Sequence, residues 1–236
     1  MDSMHKPTNC RMTQPQPAGV FFDKLTPAAL EDLRSMENPS SYPANRILFS
    51  EKEPARGVFV VLSGEVKLSI NSSEGRRLSL RIAKKGEILG LGSALSGNSY
   101  ELTAETLYPA TIAPIGRQDF LDFLSRHPEA YLAVTEELSR HARIACERLR
   151  AVGLSNSAPE KLARLLLDWS EDGQATDIGT RFRFCLTHEQ IGEFIGTSRE
   201  TVTRTMGAFK HRRLVAFQGS MLTIPNKSAL ESFAHC

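Results

Sequence analysis

The chain is short of several things at once. Its 236 residues hold four cysteines, one tryptophan and a formal charge of only +2, from 29 basic and 27 acidic side chains. The cysteines (Cys10, Cys146, Cys185 and Cys236) are scattered, with no CxxC or comparable spacing. No metal centre is expected from them. A disulfide framework is not expected in a chain this long without an export signal. The longest apolar run, Gly57 to Leu62, is far too short to span a bilayer, and the N-terminal stretch lacks an apolar signal core. These absences predict a cytoplasmic protein with no membrane partner. No Ser/His/Asp arrangement, carboxylate pair, P-loop or metal-ligand spacing stands out, so an enzyme is not expected. The lack of net positive charge argues, on its face, against a nucleic-acid binder.

What is present is globular in usage, 41% hydrophobic and 24% charged. Residues 1–18 are polar, carry three prolines and read as a flexible tail. Leu25 to Met36 reads as a short helix opened by Thr26 and Pro27. From Ile47 to about Ile115, short β-branched runs alternate with Gly57, Gly64, Gly75 and Gly86. This pattern predicts an antiparallel β-roll within residues 19–125. Val66, Leu68 and Ile70, then Leu78, Leu80 and Ile82, alternate cleanly, so one buried face is expected on each strand.

After Arg126 the period changes. Tyr131, Thr135, Leu138, Ala142, Ala145, Leu149 and Val152 recur at alternating spacings of four and three among charged neighbours. A narrow seam containing two alanines suits close self-association, so residues 126–154 read as a dimerisation helix with Leu138, Ala142, Ala145, Leu149 and Val152 at its contact. A helix lying on its own domain would usually show a wider stripe. Gly153 and Ser155-Asn156-Ser157 read as a hinge before a small domain at 155–236.

That last domain holds the informative stretch. Thr187 with Gln190, and Thr197 with Glu200, each fit a capping box, and Gly196 separates them. Two short helices joined by a tight turn make a helix-turn-helix. Gly192 lies where a side chain would block the second helix, and residues 214–224 read as a hairpin, which makes the domain winged. Between Gly196 and Gln218 stand Arg199, Arg204, Lys210, Arg212 and Arg213 against Glu200 alone. Acidic residues elsewhere in the domain hide this patch in the net charge, and the patch points to double-stranded DNA. Arg199 and Arg204 suit guanine, and Glu200 suits cytosine; with Thr203 they fall within about two turns as candidate base readers. Thr187, His188, Ser198, Lys210 and Arg212 are candidate phosphate contacts.

The sequence from about Val20 to its end, and most specifically Ile191-Gly192 and Gly196 to Arg204, resembles the Crp/Fnr family of bacterial transcription regulators. The resemblance implies an α+β chain: a cyclic-nucleotide-binding-like β-roll, a long dimerisation helix and a C-terminal winged helix-turn-helix. It implies that Arg199, Glu200 and Arg204 read TGTGA-like half-sites in an inverted repeat, with RNA polymerase as a protein partner. Lys85 to Gly90 fits the family's effector-pocket loop, which nominates Gly86, Glu87, Gly90, Leu91, Tyr100, Glu101 and Cys146. Yet Leu91 stands where cyclic-AMP binders carry a ribose-contacting glutamate. Ser99 to Leu102 contains no phosphate-binding arginine, and Cys146-Glu147 replaces the adenine-contacting Thr-Ser pair. Cyclic AMP (cAMP) is therefore not the expected ligand, and the effector is an unknown small molecule or none. An Fnr-type iron–sulfur cluster is excluded because Cys10 is the only N-terminal cysteine. Haem is not expected, although His5, Cys10 and His141 are available ligands. The competing reading is a cyclic-nucleotide-type module whose C-terminal domain binds protein, and the Arg199/Glu200/Arg204 set argues against it.

Overall fold

The computed structural model describes residues 21–153, 157–171 and 173–234, without the side chains of Ala151 and Val152. The expected tail, His5, Cys10, Cys236, the Val152 seam position and hinge residues Ser155 and Asn156 lie outside the described residues. In chain order the elements are α1 (Pro27–Met36), β1 (Ser40–Tyr42), β2 (Ile47–Phe49), β3 (Gly57–Ser63), β4 (Val66–Asn71), β5 (Arg77–Ala83), β6 (Ile88–Leu89), α2 (Leu91–Ser96), β7 (Thr103–Thr106) and β8 (Ala110–Gly116). There follow α3 (Arg117–Arg126), α4 (Pro128–Gly153), α5 (Ala158–Trp169), β9 (Gln174–Thr176), β10 (Gly179–Arg183), α6 (His188–Ile195), α7 (Arg199–His211), β11 (Ala216–Gln218), β12 (Met221–Ile224) and α8 (Lys227–Ala234). None of the described helices is long and apolar enough to cross a membrane.

The N-terminal half is the β-roll that the strand spacing implies. Two four-stranded antiparallel sheets, ordered β1-β8-β3-β6 and β2-β7-β4-β5, enclose Phe49, Val61, Val66, Leu68, Leu89 and Ile112. A second core lies under the helices, where Val58, Val60 and Ile115 meet Leu33 of α1, Phe120 and Phe123 of α3, and Ala133 of α4. Full burial of each such aromatic or branched side chain stabilises the fold by roughly 1.5–3 kcal/mol. Helix α1 starts as its sequence suggests, with the Thr26 hydroxyl accepting the Ala29 N–H at 3.2 Å and Pro27 in the first turn. Helices α2 and α3 were not anticipated; both are short, and α2 runs directly out of the β6 turn.

The expected single buried face on β4 and β5 is corrected by the structure. Lys67, Ser69 and Ser79, on the supposedly solvent-facing side, are buried, whereas Leu78, Leu80 and Ile82 are only half-buried. The reason is tertiary: α6 of the C-terminal domain packs on β5 and covers the outer face of that sheet. The Lys67 ammonium sits 2.9 Å from Glu193 of α6 and 3.4 Å from Glu105 of β7, while the Ser79 hydroxyl donates to Glu193 at 3.1 Å. Arg77 completes the group, 2.9 Å from Glu105.

Helix α4 is also held by charge. On its roll-facing side Glu137 pairs with Arg140 and lies 3.0 Å from His141 Nε2. Arg140 reaches Glu87 at 2.9 Å, and Arg81 bridges Glu87 to His141 Nε2, the latter at 2.8 Å. Glu137 is 2% exposed. Burial opposes its charge, but the contacts with His141 and Arg140 outweigh that and hold the pKa of the carboxyl at about 2. A carboxyl depressed in the folded state stabilises it above the ordinary carboxylate pKa, and that stabilisation is lost as pH falls towards the folded value. The window is therefore about pH 4.5 down to 2, with a contribution of the order of 3 kcal/mol. Urea melts of Glu137→Gln between pH 5 and 2 should lose this part of the acid dependence; an unchanged slope refutes the assignment. Lys67→Met leaves two glutamates facing an apolar side chain. It should cost about 3 kcal/mol and loosen α6 from the roll, read as a lower denaturation midpoint and faster proteolysis between the domains.

Candidate nucleic-acid interface and effector-type cavity

The C-terminal domain is assembled on α5, capped by Ser157, whose hydroxyl accepts the Glu160 N–H at 3.3 Å, with Pro159 in its first turn. Arg164 of α5 donates to the Ala234 carbonyl at 2.7 Å and so fastens α8 alongside. A four-stranded sheet, β11-β12-β10-β9, forms the wing, with Phe182 paired to Leu222. The core joins Leu162, Leu166, Ile191, Phe194, Val202, Met206 and Phe209. Phe182, Phe184 and Leu186 alternate like a strand and all three side chains are buried, but β10 ends at Arg183.

Helix α6 opens with the expected capping box: the Thr187 hydroxyl accepts the Gln190 N–H at 3.1 Å and Gln190 Oε1 accepts the Thr187 N–H at 2.9 Å. Gly196 ends it in the left-handed region at φ 64°, where glycine is the easiest fit. A Cβ on Gly192 would stand 2.7 Å from the Thr197 carbonyl oxygen, so this glycine lets the turn fold against α6. The second capping box is not formed by Thr197 and Glu200. The N-cap of α7 is Ser198, whose hydroxyl accepts the Thr201 N–H at 3.3 Å, because the Thr197 N–H is already drawn back to Gly192 O at 3.0 Å. Glu200 is thereby released from capping Thr197. Its carboxyl is nevertheless held below its usual range, by its own backbone N–H first and then by the Ser198 hydroxyl and Arg199.

Arg199, Glu200, Thr203 and Arg204 are all exposed on α7, while Val202, Thr205, Met206 and Phe209 are buried behind them. Thr203 is partly occupied: its hydroxyl donates to the Arg199 carbonyl at 2.9 Å and contacts His188 Nδ1 at 2.8 Å. The His188 pKa is pushed down by burial and then by Lys210 and Arg199, which favours a neutral ring that donates to Thr203 from Nδ1. Lys210 lies 4.5 Å from the Phe217 ring centroid, joining α7 to the wing, and Arg212 lies 5.4 Å from that of Phe233 on α8. The sequence signalled neither aromatic partner.

A second feature lies under α4. A cavity of about 460 Å³ opens between that helix and the β2-β7-β4-β5 sheet, lined mainly by Phe49, Leu68, Leu80, Leu89, Leu102 and Ile144. Of the nominated pocket residues, Gly90, Leu91 and Glu101 line it. The others lie elsewhere. Gly86 is in the preceding turn, and Glu87 faces the arginines Arg81 and Arg140. Tyr100 is packed inside the roll, stacked on Phe49 at 4.0 Å with its hydroxyl donating to the Gly57 carbonyl at 2.8 Å, and Cys146 is exposed on α4. The Glu101 carboxylate accepts from the Ser93 hydroxyl at 2.5 Å. Arg81, the guanidinium in this lining, is engaged by Glu87 and His141. Leu138, Ala142 and Ala145 of the seam also border the cavity. Glu87, Glu137 and His141 bring possible metal-ligand atoms within 4.8 Å of one another, but Arg81 and Arg140 occupy those same atoms.

Comparison with known proteins agrees with both halves. Residues 39–127 match the family model of the cyclic nucleotide-binding domain, and residues 160–233 that of the Crp-like helix-turn-helix domain. The chain is 25% identical over 214 residues to the CRP-like cAMP-activated global transcriptional regulator of Mycobacterium tuberculosis, covering 90% of this chain and 95% of that protein. It is 26% identical over 193 residues to the transcriptional activatory protein AadR of Rhodopseudomonas palustris, covering 81% and 79%. The fold matches the solved structure of FixK2 from Bradyrhizobium japonicum with a TM-score of 0.73 at 21% identity, over 85% of this chain and 98% of that one. The two relatives from Mycobacterium tuberculosis and Rhodopseudomonas palustris are by name transcriptional proteins rather than enzymes. With a cyclic nucleotide-binding domain followed by a Crp-like helix-turn-helix on this fold, the chain belongs to the Crp/Fnr family of DNA-binding transcription regulators.

Proposed function

We propose that the protein regulates transcription as a homodimer on an inverted-repeat DNA site with TGTGA-like half-sites, and that cAMP is not its effector. The observation that carries the DNA reading is the two-sidedness of α7, with four candidate readers in solvent and four core residues behind them. Arg199 and Arg204 each offer paired donors to guanine O6 and N7, and Glu200 can accept from cytosine N4. Thr203, with its hydroxyl engaged, contributes its methyl, which suits a thymine methyl. The Thr187 and Ser198 hydroxyls serve their own helix ends, so phosphates would be met there by backbone N–H groups. Lys210 and Arg212 keep exposed charge for the phosphates, and the neutral His188 serves chiefly to position Thr203.

The dimer reading rests on the outward side of α4. Leu149 is 70% exposed, Leu132 61% and Tyr131 48%, with the small, exposed Ala142 and Ala145 between them. An isologous contact along this stripe would pair the recognition helices about one DNA turn apart. RNA polymerase is the protein partner such a regulator needs; the exposed β9 strand and Ile178 beside it are a surface for it.

A cyclic nucleotide does not fit the cavity under α4. Its phosphate needs a free cation or clustered donors, whereas the lining offers Glu101 and an arginine already neutralised by Glu87. The effector is then a different small molecule, or the dimer is competent without one.

Three outcomes check this reading. Arg199→Ala should lose about 1–3 kcal/mol of affinity for a TGTGA-containing duplex and relax selectivity at one position; full selective affinity would favour a protein-binding domain instead. Leu149→Asp should shift the sedimentation coefficient from dimer to monomer and abolish footprinting on an inverted repeat. Calorimetry with cAMP should give no heat of binding at micromolar concentration, and a micromolar isotherm would overturn the effector statement.

A further inference from the structure

A second cavity, of about 700 Å³, opens where the roll meets the DNA-binding domain. It is separate from the cavity under α4, sharing only Leu80 and Arg81 with it. Tyr108 stands on the roll side, and Trp169 and Phe194 on the other. Trp169 is set edge-on to Phe194, with ring centroids 6.3 Å apart. The walls therefore combine aromatic faces from two domains, at a volume within the range of small-molecule sites.

Two guanidinium groups in this lining make no direct ion pair among the described residues, although Asp168 acts on Arg148 and Glu65 on Arg183 at longer range. Arg148, near the end of α4, donates to the Ser79 carbonyl at 3.1 Å and to the Phe194 carbonyl, and lies 5.4 Å from the Phe194 ring centroid. Burial pushes its pKa down to about 10. Asp168 lines the same cleft and acts on Arg148 across it; burial and then Glu171 push its carboxyl up, while Arg148 and Arg164 pull it down. Arg183 lies 5.1 Å from the Tyr108 ring centroid, with its Nε against Cys185 Sγ at 3.3 Å. Glu65 and Asp168 are the acids of the lining. A desolvated cation satisfied only by carbonyls lacks the charge-assisted bond that an anion supplies, and aromatic walls favour a planar body.

We propose that this interdomain cleft is a second small-molecule site, for a planar aromatic anion of nucleotide size, recognised by Arg148 and Arg183 through its charge and by Trp169 and Tyr108 through its ring. The site goes beyond the DNA-binding reading and does not depend on it. Because its walls come from both domains, a ligand here binds the docked arrangement and is linked to that arrangement's population.

Trp169 is the only tryptophan, so its emission reports on this cleft and not on the cavity under α4. The full chain is titrated with AMP and with GMP, with emission corrected for absorbance. The proposal expects saturable quenching by at least one nucleotide with a sub-millimolar midpoint. Adenosine, guanosine and inorganic phosphate should each be at least about tenfold weaker, as loss of one charged or stacked contact implies. Arg183→Gln, on an exposed side chain whose fold contacts are only the Tyr108 ring and Cys185 Sγ, should weaken the nucleotide about tenfold with an unchanged circular dichroism spectrum. Arg148→Gln, which removes bonds to the Ser79 and Phe194 carbonyls, should weaken it at least as much. No saturable change with either nucleotide overturns the proposal. So does nucleoside binding as tight as nucleotide binding, or full affinity in both arginine variants.

Discussion

The Lys67 ammonium, 3% exposed on the outward face of β4, fixes where the DNA-binding domain sits. A charge so placed is tolerated only with partners, and these come from two directions: Glu105 beside it on β7 and Glu193 across the domain boundary on α6. Ser79 adds a hydroxyl to the same Glu193 oxygen, and Arg148 reaches over from α4 to the Phe194 carbonyl one residue further on. Helix α6 is thus held by polar contacts at neighbouring residues. Gly192 packs α6 tightly on the turn into α7, so fixing the first helix fixes the direction of the second. The orientation of the face proposed to read bases follows from a buried lysine about 120 residues before the helix-turn-helix begins.

Such a boundary differs in kind from the cores on either side. The roll and the small domain are each closed by fully buried apolar side chains, such as Phe120 and Phe123 in one and Leu166 and Val202 in the other. Between them lie an ion pair, a hydroxyl, an arginine on carbonyls, an open cleft and one apolar contact, in which Leu107, Ile82 and Tyr108 of the roll meet the C-terminal core. Polar contacts exchange for water with little net change, whereas apolar cores do not. Rearrangement at this boundary, which is smaller and more polar than either core, therefore costs less than rearrangement within either domain. That partition is what a regulator needs, because a ligand can shift only an equilibrium whose two arrangements are close in free energy.

The same contrast explains what the sequence could and could not disclose. The roll, the long helix and the winged helix-turn-helix were legible because each rests on a local period or cap: alternation in Val66-Leu68-Ile70, the seam on α4, Thr187 with Gln190. The buried role of Lys67 and Ser79 was not legible, since an outward polar residue on a strand reads as solvent-facing until another domain covers it. The second cap was misread because Thr197 and Ser198 are adjacent hydroxyls that both fit the pattern. The backbone bond from Thr197 to Gly192, a consequence of the turn, decided between them. Tyr100 was assigned to a pocket, with Glu101, from the family resemblance, but neighbours on a chain can face opposite ways. Glu101 met the cavity and Tyr100 the core. The interdomain cleft had no sequence signal at all, since its aromatic and cationic walls come from positions as far apart as Glu65 and Phe194.

Helix α4 is where these features meet. Its roll-facing side carries Glu137 and His141 in the ionic network, its outward side carries Leu149, and its last turns carry Arg148 into the interdomain cleft. Leu138, Ala142 and Ala145 border the cavity beneath and belong to the stripe proposed for the partner. An occupant of that cavity would press on the residues at which two copies would meet, and an occupant of the cleft on the residue that ties α4 to α6. A single helix of 26 residues, about 39 Å long, thus touches every surface through which a signal could reach α7. Its rigidity sets a condition on any such signal: it must arrive as a displacement or rotation of α4, because the Glu137 network holds the helix to the roll along one face. Regulation in this chain therefore turns on the balance between that network and the smaller boundary around Lys67 and Leu107.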